Sequence, residues 1–232
     1  MKACPPKNVA VLFSGAKDST FAIYKAMNMG FNVKSLVTLI PRSDESYMFH
    51  HPNIQWTRLQ AEALGIPLIT KETDGKKEKE LEDLKEVLNS IKSGIDGVVS
   101  GALESRYQRV RIDKICRELG LESFSPFWKR SMRDHIEEMI ASGFEAIISA
   151  VAAEGLDEEW LGRKLDLQVL RDLEKLSRKY GIHKGGEGGE YESFVLDGPI
   201  FKKKIKIIQA QKEWDGVRGV YVIENAELVD KN

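Results

Sequence analysis

Cysteine is scarce in this chain: 232 residues contain only Cys4 and Cys116. They form no CxxC pair, so no zinc or iron–sulfur framework of thiolates is expected. The lack of a disulfide pattern fits a reducing, cytoplasmic setting. No run of 18 apolar residues occurs, so no segment is expected to span a membrane. The apolar stretch Val9–Phe13 is too short for a signal peptide and leads straight into a glycine turn. A charge excess is missing too: 35 basic residues face 36 acidic ones, for a formal net charge of −1. No global basic field therefore exists to hold nucleic acid by charge alone, although a local basic face is compatible with these counts. The phosphate-binding patterns GxxxxGK[ST] and GxGxxG are both absent. His50 and His51 are adjacent and lack metal-ligand spacing, and His135 and His183 bring no partner signal. Ser14 and Ser19 have no Ser–His–Asp context. There is no internal repeat. The one biased stretch, Lys202–Lys204, reads as a solvated strand edge.

What is present is a globular composition, 42% hydrophobic and 31% charged, long enough for one large domain or two modest ones. Asn8–Phe13 reads as a buried strand and Asp18–Met29 as a helix stopped by Gly30. Val33–Ile40 is a strand, Ile54–Leu64 a helix, and Ile66–Ile69 a short strand. Lys76–Ile91 is an amphipathic helix with Leu81, Leu84, Val87, Leu88 and Ile91 on one face. Gly97–Gly101 is a strand, and Ser105–Leu119 a helix capped by Ser105 and ended by Gly120. This alternation predicts an α/β fold with a doubly wound parallel sheet over residues 1–126. Residues 127–232 predict a smaller C-terminal α/β domain. Its elements are a helix near Arg133–Ser142, a strand at Ala146–Val151, a helix at Leu167–Tyr180 and a strand-rich tail after the glycine cluster Gly185–Gly189.

The segment Ser14-Gly15-Ala16-Lys17-Asp18-Ser19 follows the first strand and opens the first helix. Backbone N–H groups and a helix dipole converge on an anion at such a place. Small residues let the backbone approach phosphate oxygens, the Ser14 and Ser19 hydroxyls can donate, and Lys17 adds a point charge. The string VLFSGAKDS resembles the SGGxDS signature of the PP-loop ATP pyrophosphatases. In that class the loop grips the pyrophosphate of ATP, and cleavage falls between the α and β phosphates. Ala16 replaces the second glycine. If that position needed φ > 0, alanine would cost about 1 kcal/mol or more.

Three further segments, Asp44–His50, Ser100–Arg109 and Gly186–Phe194 with its string GEGGEYES, resemble the diphthine–ammonia ligase family within the PP-loop class. Gly155-Leu156-Asp157 and Leu161-Gly162 extend the likeness, which runs from about Val9 to Lys204. It implies an adenine nucleotide α-hydrolase-like fold. It also implies that ATP activates the carboxylate of diphthine on elongation factor 2, and that ammonia then replaces AMP to give diphthamide. No glutaminase domain is expected, so free ammonium is the expected donor.

Under that resemblance Ser14, Gly15, Ala16, Lys17, Asp18 and Ser19 are expected to bind ATP. Thr38, Leu39, Gly101 and Ala102 join them at strand ends, where core packing or a tight turn accounts for the same residues. Lys17 and Asp18 are expected to act in catalysis, Asp18 also as a ligand of Mg²⁺. Arg106 and Arg109 can neutralise phosphate charge, or lie on a solvated helix face. Glu187 and Glu190 are expected in a flexible glycine-rich loop, facing the trimethylammonium group of diphthine or the incoming ammonia. Tyr47, Tyr107, Gln108, Gly188, Gly189 and Tyr191 are expected on the substrate side, with Phe194 and Trp128 as further aromatic candidates. A surface loop with exposed acids is the plainer reading of that cluster. Two rival functions remain at this point: a tRNA-modifying PP-loop enzyme, and a non-catalytic ATP or AMP sensor, which Ala16 favours. A thiolating enzyme would need a placed cysteine, and neither cysteine is so placed. A homo-oligomer is compatible with the sequence.

Overall fold

The computed structural model describes residues 6–42, 53–74, 77–103 and 105–231. The chain divides into two compact units: residues 1–14, 18–50 and 66–128 form the first, and residues 15–17, 51–65 and 129–232 the second. Two earlier stretches, residues 15–17 and 51–65, thus cluster with the C-terminal part.

The first unit is built on a parallel sheet of β1 (Asn8–Leu12), β2 (Asn32–Pro41), β3 (Leu68–Thr73), β4 (Gly97–Val99) and β5 (Glu122–Phe124), in the order β3-β2-β1-β4-β5. Its helices are α1 (Lys17–Asn28), α3 (Lys77–Ile91) and α4 (Arg106–Leu119). The apolar stripe of α3 faces the core as its period predicts: Leu84, Val87 and Leu88 pack with Val37, Leu39 and Val98 of the sheet and Ile112 and Ile115 of α4. Phe21 of α1 stacks on Phe127, with ring centroids 5.3 Å apart. Ser105 caps α4, its hydroxyl accepting from Gln108 N–H at 3.3 Å.

β3 is longer than its apolar residues suggest. Its register with β2 continues through Thr38↔Thr70 to Pro41↔Thr73, so polar residues extend a strand whose pairing outlasts its apolar run. β5 is only three residues long, below what a pattern can mark.

The second unit carries an antiparallel sheet of β6 (Glu145–Val151), β7 (Tyr191–Asp197), β8 (Lys203–Trp214) and β9 (Gly219–Asp230), ordered β7-β6-β9-β8. α5 (Met132–Ala141) and α6 (Leu167–Tyr180) accompany it, with α2 (Thr57–Leu64). Asp166 caps α6 by accepting from Gln168 N–H at 2.9 Å and Val169 N–H at 2.8 Å. β8 lies at the sheet edge. Its lysines are paired, Lys204 with Glu145 at 2.6 Å and Lys206 with Glu227 at 3.7 Å, in keeping with a protected edge. β7, like β5, was not expected as a strand of its own, although it lies in the strand-rich tail after the glycine cluster. Among the described residues, no helix is long and apolar enough to cross a membrane.

Leu88 is fully buried between α3 and the sheet. Leu88→Ala is expected to cost about 2–5 kcal/mol through lost burial and the cavity left behind. Its urea unfolding midpoint, compared with the parent protein, checks this.

Candidate functional site

The loop Ser14–Ser19 begins where β1 stops. Phe13 N–H still pairs with Val37 O at 2.8 Å. The Thr38 hydroxyl donates to Phe13 O at 2.6 Å and ties the strand end down. Ser14 N–H then turns to the Ser19 hydroxyl at 3.2 Å, and the two hydroxyls lie 3.2 Å apart. Gly101 follows β4 and packs on the first turn of α1. A Cβ there would sit 2.7 Å from the Asp18 carbonyl carbon and 2.8 Å from Ser19 N. The bare backbone of Gly101 is thus required by α1 itself. Ala102 beside it is buried.

The tip, Gly15–Lys17, is held within the second unit. Gly15 O accepts Val195 N–H at 3.1 Å and the Gln60 side-chain amide, Nε2, at 2.9 Å. The same Nε2 donates to Val195 O at 2.8 Å. Lys17 N–H donates to the Ser193 hydroxyl at 3.1 Å. Gly15 has φ +79°, and a Cβ on it would fall 2.1 Å from Gln60 Oε1, so only glycine fits. Ala16 is not strained: among the described residues, the only non-glycine residues with positive φ are Asn53 and Lys129. The feared cost of replacing the second glycine is therefore absent. Lys17 is 5% exposed, and its ammonium lies 5.4 Å from the centroid of the Tyr191 ring, a contact worth about 0.5–2 kcal/mol.

These bonds correct one expectation. The amides of residues 14–19 do not all converge on one point, because the Ser14 and Lys17 N–H groups are directed at hydroxyls.

The glycine cluster is a closed, hydrogen-bonded turn rather than a flexible loop. The Glu190 carboxylate accepts His183 N–H at 2.8 Å and Gly188 N–H at 2.9 Å. Gly185 and Glu187 N–H both lie 3.3 Å from His183 Nδ1. Tyr191 is 2% exposed, and its hydroxyl donates to Lys184 O at 3.1 Å. Tyr191 and Phe194 are core residues of β7, so neither ring is presented as a surface for a substrate cation. Glu187 is half-buried, and Gly188 and Gly189 are exposed at the turn.

Other expected residues fall as follows. The Thr38 hydroxyl is spent on Phe13, and Leu39 belongs to the core under α3. Tyr107 is covered by Arg111, whose guanidinium carbon lies 3.4 Å from the ring centroid. Gln108 contributes its backbone N–H to the cap of α4. Arg109 stacks over Trp128 at 4.2 Å and lies 3.5 Å from Asp113. Asp18 is half-buried in the first turn of α1. Tyr47, in the segment Asp44–His50, lies outside the described residues. Burial pushes the Cys116 thiol up to about 11, with Asp113 adding in the same direction. Such a thiol is protonated and unreactive near neutral pH. Cys4 lies outside the described residues.

Two residues that hold the tip carried no assigned role in the sequence. Gln60 is fully buried on α2, where 57, 60, 61 and 64 trace one helical stripe and Ala63 is buried beside it. A glutamine on such a stripe is the signal that could have found it. Ser193 lies within GEGGEYES, three residues after the second glutamate, and becomes legible only once β7 is seen.

A strand–turn–helix with a lysine and small residues stands at the carboxyl end of β1, where the sheet order reverses between β1 and β4. This is the ligand position of nucleotide-binding doubly wound α/β proteins. Comparison with known proteins gives the particular family. The diphthamide synthase N-terminal domain matches residues 7–123, and the diphthamide synthase C-terminal domain residues 131–229. The chain belongs to the diphthamide synthase family. It is 41% identical to a diphthine–ammonia ligase of Bos taurus over 85% of this chain and 81% of that protein. It is 39% identical to the Homo sapiens protein of the same name, over 85% and 81% respectively. A Schizosaccharomyces pombe diphthine–ammonia ligase is 34% identical, over 84% of this chain and 35% of that longer protein.

Glu190→Ala removes the acceptor for two amides of the glycine turn. Each orphaned amide is expected to cost about 1–3 kcal/mol where it stays buried. Amide hydrogen exchange across residues 183–190 should quicken, and unchanged exchange there would contradict the stapling role.

Proposed function

We propose that this chain is an ATP-dependent diphthine–ammonia ligase, which activates the diphthine carboxylate of elongation factor 2 and installs ammonia to give diphthamide. The observation that carries the reading is the Ser14–Ser19 loop at the end of β1, with its lysine and its obligatory glycine. Family membership across both parts of the chain supports it.

ATP supplies an adenylyl group that makes the carboxylate a better acyl donor, with pyrophosphate and then AMP as leaving groups. The residues present fit such a ligand. Gly15 keeps the backbone bare where a Cβ cannot go. The first turn of α1 brings its dipole, and Ser14 and Ser19 bring hydroxyl donors. Lys17 stabilises the charge that develops on the departing pyrophosphate. Asp18 would contribute a ligand to Mg²⁺. Among the described residues no group of three His, Cys, Asp or Glu side chains could hold a metal alone, so nucleotide oxygens would complete the shell. Glu187 is the acid we assign to the substrate cation or the incoming ammonium, since the Glu190 carboxylate is occupied with backbone amides. Tyr107, Gly188 and Gly189 remain on the proposed substrate side. The setting is the cytoplasm.

A non-catalytic sensor loses its supporting feature, because Ala16 sits without strain. A thiolating tRNA enzyme finds no reactive thiol in Cys116.

The test is incubation with ATP, Mg²⁺, ammonium and diphthine-modified elongation factor 2. AMP, pyrophosphate and the amide are expected in equal amounts. ADP as the product would reject the reading. Lys17→Met is expected to lower turnover by roughly 10²–10³-fold, as for loss of one group stabilising transition-state charge. Glu187→Ala should block amidation while leaving ATP binding intact.

A further inference from the structure

We infer that Gln60 and Ser193 are positioning residues for the loop that takes the nucleotide phosphates, fixing the directions in which its tip peptides point. The inference rests on the ligase reading above and adds to it two residues outside the loop.

Gln60 is fully buried, and its Nε2 is shared between Gly15 O at 2.9 Å and Val195 O at 2.8 Å. Val195 N–H reaches the same Gly15 oxygen at 3.1 Å. Carbonyl and amide point in opposite directions in a trans peptide. Two donors pulling the Gly15 carbonyl toward β7 therefore aim the Ala16 N–H of that peptide away from β7. The next peptide is pinned with the opposite sense, since Lys17 N–H donates to the Ser193 hydroxyl at 3.1 Å. The two peptides of the tip are thus alternately oriented.

Gln60 is an expensive choice for mere packing. Its Oε1 is buried with no hydrogen-bond partner, a penalty that an apolar residue of similar size would avoid. The space for that oxygen exists only because Gly15 lacks a Cβ. The glutamine and the glycine therefore depend on each other, and the amide is retained for what it donates. Tyr191 completes the arrangement from β7, with its ring 5.4 Å from the Lys17 ammonium.

The experiment compares the full-length protein with Gln60→Met, Gln60→Glu, Ser193→Ala and Ser193→Thr. Steady-state AMP formation is measured with ATP, ammonium and diphthine-modified elongation factor 2, alongside amide exchange across residues 14–19. Gln60→Met keeps the volume and removes the donor. It should lower kcat by roughly 10²-fold, the scale set by a misplacement near 1 Å, leave the KM for ammonium unchanged and speed exchange at the tip. Gln60→Glu should recover activity relative to the parent as pH falls, because a protonated carboxyl regains one donor. A structural filler would show no such profile. Ser193→Ala should behave like Gln60→Met, with Ser193→Thr restoring activity through its hydroxyl. Parent-like kcat or parent-like exchange in Gln60→Met overturns the inference while the ligase reading stands. A parent protein that forms no AMP sinks the ligase reading and this inference with it.

Discussion

The carbonyl of Gly15 accepts from the β7 backbone at Val195 and from the side chain of Gln60, and the chemistry of the loop follows from that constraint. A glycine-rich turn left to itself samples many conformations and loses much entropy on ordering. Here Gly15 O and Lys17 N–H are hydrogen-bonded by groups of the protein itself, and bonds that restrain a loop lower the ordering cost of binding. Preorganised donors are also the ones that stabilise developing charge most, since they need not reorient as the charge forms.

Once Gly15 is fixed, neighbouring residues have little freedom. The peptide that follows must present its amide away from β7, and Lys17 must start α1 with its N–H on Ser193. Its side chain then lies over Tyr191. Tyr191 in turn ties down the glycine turn, because its hydroxyl meets Lys184 O and Glu190 beside it staples His183 and Gly188. One strand, β7, thereby carries both the clamp on the loop proposed to take phosphates and the anchor of the turn proposed for the substrate. The string GEGGEYES mixes these duties: its glycines and Glu190 shape the turn, while Tyr191 and Ser193 serve the loop.

The fold of the first unit was largely legible because its signals are local. α3 shows its stripe over fifteen residues, and Ser105 and Gly120 mark the ends of α4 as capping rules predict. The short β5, the polar half of β3 and the whole of β7 were not legible. Their existence is decided by pairing with distant strands, such as Val151↔Tyr191, and not by their own period. The site divides the same way. That Gly15, Lys17 and Ser19 lie in a turn between β1 and α1 follows from a local strand–turn–helix pattern. For Gln60 the stripe of α2 signals burial alone, because its partner Val195 lies 135 residues away in sequence. Tyr191 and Phe194 were read as ligand aromatics because composition does not reveal burial.

Ala16 shows how a departure from a motif should be weighed. The second glycine of SGGxDS has two separable physical uses, a positive φ and room for an approaching phosphate. The structure places the positive φ at Gly15, where a side chain would also strike Gln60. Ala16 keeps ordinary backbone geometry, so the substitution adds a single methyl group and no conformational strain. The buried glutamine whose oxygen lacks a partner is a costly way to hold Gly15 if packing were its only use. That costly pair, next to an unstrained alanine, argues that the direction of the tip peptides matters more to this loop than the number of its glycines.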